Sequence, residues 1–189
     1  KLRIQTSEEL ATTTTFDKNI LVDYSSGSSV YLGKTINTRE CGLCTVIKEI
    51  SKPSGRSQFD VKFHDTGYVR RVEYAAVQTD TIKDPYFRSV FGVGYYGEFE
   101  EDAHTTILKT TWREMLRRCY NTESESYKSY GAKGIHVHYD WLCFANFNID
   151  ARKLTNWHCR LEYGSEYELD KDVRYAANYY SKETCMWAS

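Results

Sequence analysis

Residues 112–121 read WREMLRRCYN, and together with the seven residues before them they form the clearest helical pattern in the chain. The apolar residues of this stretch recur with helical spacing, so one face of the helix is apolar: Leu108, Trp112, Met115, Leu116 and Cys119. The sequence therefore predicts a helix over 105–121 that buries this face. We expect this helix to organise the part of the chain that follows it.

Three cations lie along one flank of the predicted apolar face. Lys109, Arg113 and Arg117 are four residues apart, so they form a row on the helix, here called the cation row. Such a row suits the phosphates of a nucleic-acid backbone. It equally suits a solvated surface whose cations pair with Glu114 and nearby acids, and spacing alone leaves both interpretations open.

The overall charge argues against a protein that is drawn to nucleic acid by its global field. The net charge is −1, from 25 Lys and Arg against 26 Asp and Glu, so any DNA-binding surface must be a local basic patch. The sequence contains no run of about eighteen apolar residues, and we expect no membrane span. The sixteen Tyr suit a surface that stacks on bases or sugars, and equally a partly hydrated interface or the core of a small domain.

The first part of the chain has the pattern of an antiparallel β module. Residues 1–19 are polar and Thr-rich, which indicates an arm. Strand-like runs follow at 20–22, 45–50, 59–63 and 68–74, with turn signals at 53–55 and 65–67. Several short strands with tight turns predict a small antiparallel SH3-like β-barrel over 20–86, ending in a connector at 79–85.

The second part, 87–189, mixes helix and strand signals. A glycine turn at 129–134 precedes an alternating run at 135–139, where His136 and His138 face the same side and suit either a shared metal or a surface. Asp140 is a candidate cap for a helix through Leu154. We expect a loop over 155–168, a short strand at 169–173 and a helix that starts at Ser181.

The six cysteines do not form a metal-binding framework. Cys41 and Cys44 alone have the close spacing of zinc ligands, and no second close pair follows them. We therefore expect reduced cysteines, as in cytosolic proteins, rather than a zinc site or secreted disulfides.

Four short motifs follow one another over residues 112–187. They are W-x-x-M-x-x-R-C-Y from Trp112, Y-G-x-K-G-I from Tyr130, L-D-K-D from Leu169 and Y-S-x-E-T-C-x-W from Tyr180. In this order they resemble a group of phage-encoded proteins described as HNH-like or homing-type endonucleases. The glycine-rich residues 89–95, which follow a small β module, also resemble that group.

The resemblance implies a ββα element that holds one divalent metal ion, Mg²⁺ or Mn²⁺, on the scissile phosphate. By resemblance, Asp170 and Asp172 hold the metal, Lys171 stands where the general-base histidine belongs, and Asn178 stands near the asparagine that orients the base. These four residues are the candidate catalytic residues. Between two acids a lysine stays charged near neutral pH, so the HNH-like element is degenerate.

Two alternatives to this site remain open. A different metal site would combine Asp170 and Asp172 with Glu183 or His104. In the other alternative, 169–172 is a turn with internal charge pairing.

We thus expect an α+β chain with an arm at 1–19, the β module at 20–86 and an HNH-like α+β module at 87–189. The expected function is that of a phage or mobile-element DNA-binding protein of the homing-endonuclease kind that hydrolyses phosphodiester bonds. The alternative is a catalytically inactive relative that serves as a DNA-binding accessory or a phage structural or interaction protein. The expected partner is double-stranded DNA, with a phage protein or a second copy of the chain as further candidates, in the host bacterial cytoplasm or on the virion. The candidate DNA-binding residues are Lys109, Arg113, Arg117, Arg118 and Lys133.

Overall fold

A computed structural model describes residues 30–51, 57–172 and 177–189, and the fold below is that of the compact unit Tyr31–Ser189. The predicted arm at 1–19, the predicted strand at 20–22 and the predicted turn at 53–55 lie outside the described residues. The described residues combine α-helices with short β-strands, which confirms the α+β class. None of the helices described is long and apolar enough to cross a membrane.

Four antiparallel strands that pair in chain order form the first layer: β1 (Thr35–Asn37), β2 (Leu43–Ile50), β3 (Gln58–Phe63) and β4 (Val69–Glu73). Alternation along β3 buries Phe59, Val61 and Phe63 on one face, and Val61 lies opposite Val46 of β2. A short helix, α1 (Tyr74–Thr79), adds Val77 to the same core. This alternation is why the strands could be predicted from the sequence.

The predicted strands at 45–50, 59–63 and 68–74 are confirmed to within two residues. The sheet that the described residues form is open, because β1 and β4 are its end strands. Helix α1 was not predicted, since the sequence signals a strand as far as Tyr74 and a connector from Thr79. The helix ends at Asp80, which has a left-handed backbone with φ 54°.

The predicted central helix is confirmed as α2 (Thr105–Tyr120), and its predicted apolar face is buried. The indole N–H of Trp112 donates to the carbonyl oxygen of Trp141 at 2.7 Å. Side chains of α3 (Phe144–Ala151) and the indole of Trp187 complete this second core. One polar bond thus fixes the rotation of α2 about its axis and so decides which flank of α2 faces solvent.

The helix predicted from Asp140 to Leu154 is wrong in its first turn. A 3₁₀ turn at Tyr139–Leu142 comes first, and Cys143 is then extended, with φ −87° and ψ 119°. Cys143 forms a bridge with Tyr95, and the N–H of Phe144 donates to the carbonyl oxygen of Tyr95 at 2.9 Å. This tertiary backbone pairing interrupts the helix, so Asp140 does not cap α3.

The predicted loop at 155–168 is also wrong, because it contains α4 (Trp157–Tyr163). The helix follows Asn156, whose φ is 65°, and none of its residues is fully buried. The ring of Trp157 lies 5.4 Å from that of Trp187. A helix this short has little periodicity to detect, and its stability comes from this tertiary contact.

Two small sheets end the chain. Strand β5 (His136–Val137) pairs in parallel with β7 (Tyr179–Tyr180), and β6 (Glu168–Asp170) pairs antiparallel with β8 (Met186–Ala188). The strand predicted at 169–173 is confirmed in part, over Leu169 and Asp170, and Val173 lies outside the described residues. Strands β6 and β7 therefore pair with different strands and not with each other, as the two strands of a ββα element would.

The helix predicted from Ser181 is wrong. The hydroxyl of Thr184 donates to the carbonyl oxygen of Tyr179 at 2.9 Å, and the N–H of Cys185 donates to that of Ser181 at 3.0 Å. These bonds close a turn, and the chain then continues as β8 rather than as the helix of a ββα element.

Candidate functional site

The rotation of α2 divides its cations into two groups. Successive residues of an α-helix are about 100° apart, so Arg118 does not extend the cation row but lies on another side of α2. The row of Lys109, Arg113 and Arg117 faces the loop before α2 and the 3₁₀ turn after it, as the contacts below show. The predicted set of DNA-binding residues is therefore not one surface.

Lys109 is paired within the protein. Its ammonium lies 2.5 Å from the Glu101 carboxylate and 4.7 Å from the centre of the Phe99 ring. The Glu101 side chain is 73% exposed, so this ion pair is weak and a phosphate competes with it at little cost.

Arg113 is exposed, and its guanidinium donates to the hydroxyl of Tyr96 at 2.8 Å. The partner in this bond is a hydroxyl and not a carboxylate, so the bond does not balance the positive charge of Arg113. Of the cation row, Arg113 is the residue best placed to contact a phosphate.

Arg117 agrees with the second interpretation of the cation row, in which the cations pair with nearby acids. Its Nε and Nη2 donate to one Glu114 oxygen at 2.9 and 2.5 Å, and its Nη1 donates to the Ser124 hydroxyl at 2.7 Å. Its charge is balanced within the helix. A phosphate would have to displace Glu114 or bind beside the pair.

Arg118 lies elsewhere, against aromatic rings. Its guanidinium carbon is 5.6 Å from the centre of the Tyr130 ring, and the Tyr180 side chain is a further neighbour. Burial, followed by the neighbouring Tyr130, raises the pKa of Tyr180, which keeps the phenol neutral. Lys133 is exposed at the end of the 3₁₀ turn Gly131–Lys133.

The candidate metal ligands meet in the turn after β6. The N–H of Asp172 donates to Oδ1 of Asp170 at 2.6 Å, and the ammonium of Lys171 pairs with Oδ1 of Asp172. The alternative of internal charge pairing in this turn is therefore observed. Within the described part of the chain, no cluster of three or more His, Cys, Asp or Glu side chains is arranged to hold a metal ion.

Lys171 is a core residue, with 5% of its surface exposed. Its neighbours include two buried thiols: burial raises the pKa of Cys119 to about 12 and that of Cys185 to about 11, and the Lys171 charge acts against both shifts. Lys171 thus lies beneath the surface, with its ammonium beside the exposed Asp172. The position that the resemblance assigns to a general base is thus occupied by a buried, ion-paired lysine.

The remaining candidates stand apart from this turn. Asn178 is exposed, and its carbonyl oxygen accepts the N–H of His136 at 3.0 Å. The ring of His136 stacks on Tyr179, whereas His138 lies 3.4 Å from the Asp140 carboxylate. The predicted histidine pair therefore has separate partners.

Glu183 and His104, the further ligands of the alternative metal site, also have other neighbours. A hydrogen bond from Ser181 is the main cause that lowers the pKa of Glu183. The ring of His104 meets the edge of Trp157 at 5.9 Å. All six cysteines are free thiols, as expected.

The sequence did not predict a cleft of about 140 Å³ beside α2. Arg118, Arg160, Glu114 and Glu168 line it, and Leu169 and Trp187 are among its apolar residues. Arg160 belongs to α4, where a loop was predicted, so no sequence signal placed it near Arg118. The resemblance noted in the sequence gave no role to Glu114 or Glu168.

Comparisons with models of known protein families, with curated proteins and with solved structures find no match.

Proposed function

We propose that this chain is a phage or mobile-element protein that binds double-stranded DNA and is related to the HNH-like homing endonucleases, but lacks a working general base. The burial of Lys171 carries this proposal. A general base must present a lone pair to water at a reachable position. The Lys171 side chain is instead packed in the core, and its ammonium pairs with the Asp172 carboxylate.

DNA binding is supported by two cations of α2 and by one cation of the 3₁₀ turn Gly131–Lys133. Arg113 and Lys133 are exposed, and Lys109 is held by a weak ion pair. With a net charge of −1, binding relies on these local contacts and should depend strongly on salt. The proposal retains the SH3-like barrel as the fold of the β module, and the host bacterial cytoplasm or the virion as the location.

A gel-shift series on a fluorescent duplex tests this function. Lys109→Ala with Arg113→Ala should weaken binding and reduce the slope of log K against log salt by about 1.8, for two lost phosphate contacts. Lys48→Ala with Lys62→Ala is the matched control, since it removes two exposed cations from the sheet. If both double variants bind like the parent protein, α2 is not the DNA surface. If the parent protein binds no DNA even at low salt, the proposed function is refuted.

A metal-dependent nuclease is the second candidate, favoured by the two carboxylates of Asp170 and Asp172 in one turn. Mg²⁺ or Mn²⁺ is commonly held by one or two carboxylates together with substrate phosphates, so these acids suit such an ion. Supercoiled plasmid should then be nicked with Mg²⁺ or Mn²⁺ but not with EDTA. Asp170→Asn should abolish nicking, and Asp65→Asn, at an exposed acid of the β module, should not. Such a result would replace the non-cleaving proposal.

A further inference from the structure

The cleft beside α2 has an apolar floor between charged walls. Met115 of α2, Leu169 of β6 and Trp187 of β8 form the apolar part, and all three are buried. The cleft measures about 140 Å³. An apolar floor with a few convergent polar groups is typical of small-ligand sites.

Two guanidinium groups on the cleft wall are held in place by aromatic rings. Arg118 lies over the Tyr130 ring, as described above. The guanidinium carbon of Arg160 is 5.7 Å from the centre of the Trp187 ring, and its Nη1 donates to the carbonyl oxygen of Gly164. Arginines fixed in this way lose little freedom when they bind a ligand.

Two carboxylates also line the cleft. Glu114 shares one oxygen with Arg117, so its charge is already balanced outside the cleft. Glu168 begins β6 and is exposed, and within the described residues no hydrogen bond or ion pair engages its carboxylate. The cleft therefore offers two guanidinium groups as donors and the carboxylate of Glu168 as an acceptor. This set suits a flat ligand that has two adjacent acceptors on one edge and two adjacent donors on another.

We propose that this cleft binds a guanine base. Guanine O6 and N7 form the acceptor pair that arginine recognises. Its N1–H and 2-amino group form a donor pair that a carboxylate such as that of Glu168 accepts, and its flat faces suit the apolar floor. Adenine places a donor beside its N7 acceptor, which suits an amide side chain instead, and cytosine offers a carboxylate one amino group.

The position of the cleft connects it with DNA. Glu114 lines the cleft and also binds Arg117 of the cation row, so the two surfaces adjoin on α2. A nucleotide that leaves the stack of a strand held along the row reaches the cleft directly. This inference rests on the proposed DNA binding for its biological source of guanine, but the cleft can be tested by itself.

The test is calorimetric titration of the full chain with guanosine 5′-monophosphate, inosine 5′-monophosphate and ribose 5-phosphate. Inosine monophosphate lacks the 2-amino group and should bind about tenfold more weakly, because one hydrogen bond to a charged group is lost. Ribose 5-phosphate should not bind. Equal affinity for all three compounds would mean a phosphate site and would overturn the proposal, as would no binding of the guanine nucleotide.

Glu168→Gln should reduce the affinity for guanosine monophosphate to near that for inosine monophosphate, and Glu166→Gln is its control on the adjacent exposed turn. Thr110→Phe, at an exposed residue of α2 that lines the cleft, should block it without altering the core. If both cleft variants bind the nucleotide like the parent protein, the site is elsewhere.

The two proposals fail differently. If no α2 variant loses DNA binding while guanosine monophosphate still binds, the DNA surface is refuted and the guanine cleft is retained. If the protein binds DNA but shows no preference for guanine, the guanine cleft is refuted and the DNA surface is retained.

Discussion

Replacing Gly131 by alanine should destabilise the protein through a collision with α2. A Cβ built on Gly131 would lie 2.2 Å from the carbonyl oxygen of Cys119 and 2.2 Å from Cε2 of Tyr127. These gaps are about 1.3 Å short of normal van der Waals separation. One neighbour is helix backbone, so the contact is relieved only if the 3₁₀ turn at Gly131–Lys133 moves away from α2.

The expected magnitude follows from two opposed effects. Overpacking of this kind costs about 1–3 kcal/mol, and the upper end applies because a backbone atom is involved. Alanine also leaves the unfolded chain less conformational freedom than glycine does, and this stabilises the folded protein by about 0.4–1 kcal/mol. The net decrease in the free energy of unfolding is about 2 kcal/mol, which lowers the Tm of a chain of this size by about 4–8 °C.

Gly134 provides the matched control in the same turn. Its φ is 81°, and a Cβ there would meet nothing within 4 Å, so Gly134→Ala is disfavoured by backbone conformation alone. Gly134→Asn should recover stability relative to Gly134→Ala, since asparagine tolerates a left-handed backbone. Gly131→Asn should instead be worse than Gly131→Ala, because the larger side chain collides more.

Urea unfolding followed by far-UV circular dichroism measures all four variants. A Gly131→Ala protein within about 0.5 kcal/mol of the parent would refute the collision, because that is the range of neutral surface changes. If asparagine is better than alanine at Gly131 as well, backbone conformation and not packing controls this turn.

Three further predictions concern stability and reactivity. Lys171→Met keeps the buried stem and should change the free energy of unfolding by less than about 1.5 kcal/mol, whereas Lys171→Ala should cost about 2–3 kcal/mol, both measured in urea. Hydrogen bonds from Arg152 hold the pKa of Asp102 well below its usual value, so their stabilisation is present above the unfolded pKa of about 4 and is lost as pH falls below it. Asp102→Asn should therefore lower Tm at neutral pH and have a shrinking effect in acid, and a pH-independent difference would contradict this. Burial raises the pKa of Cys119 to about 12, and a thiol reagent should label partly exposed Cys159 first, with the other five cysteines reacting only after unfolding.

The parts of the fold that could be predicted are those whose apolar residues recur periodically in the sequence. Helix α2 and strand β3 each bury one regular face, so their residues alternate or repeat in a way the sequence displays. These are elements whose local pattern and tertiary burial agree.

The tertiary contacts that begin or end several elements could not be predicted. The break at Cys143 depends on a backbone bond to Tyr95, far away in the sequence, and α4 depends on the contact of Trp157 with Trp187. The last residues form a strand because β8 pairs with β6, although Ser181 and Thr184 also fit the start of a helix. Tertiary hydrogen bonds decide these cases, and no local signal records them.

The candidate site shows the same limit in its charges. The sequence left the cation row open between phosphate binding and internal pairing, and the structure divides the row: Arg117 is paired with Glu114, while Arg113 donates to the hydroxyl of Tyr96. Likewise, the acids beside Lys171 predict a paired ammonium, but its burial beside Cys119 follows from the packing of α2 against the turn after β6. Because this lysine fills core space, a histidine placed at this position would have to repack the core as well as change the chemistry. The burial of Lys171 is therefore a property of the fold around the turn, and the proposal of DNA binding without cleavage depends on it.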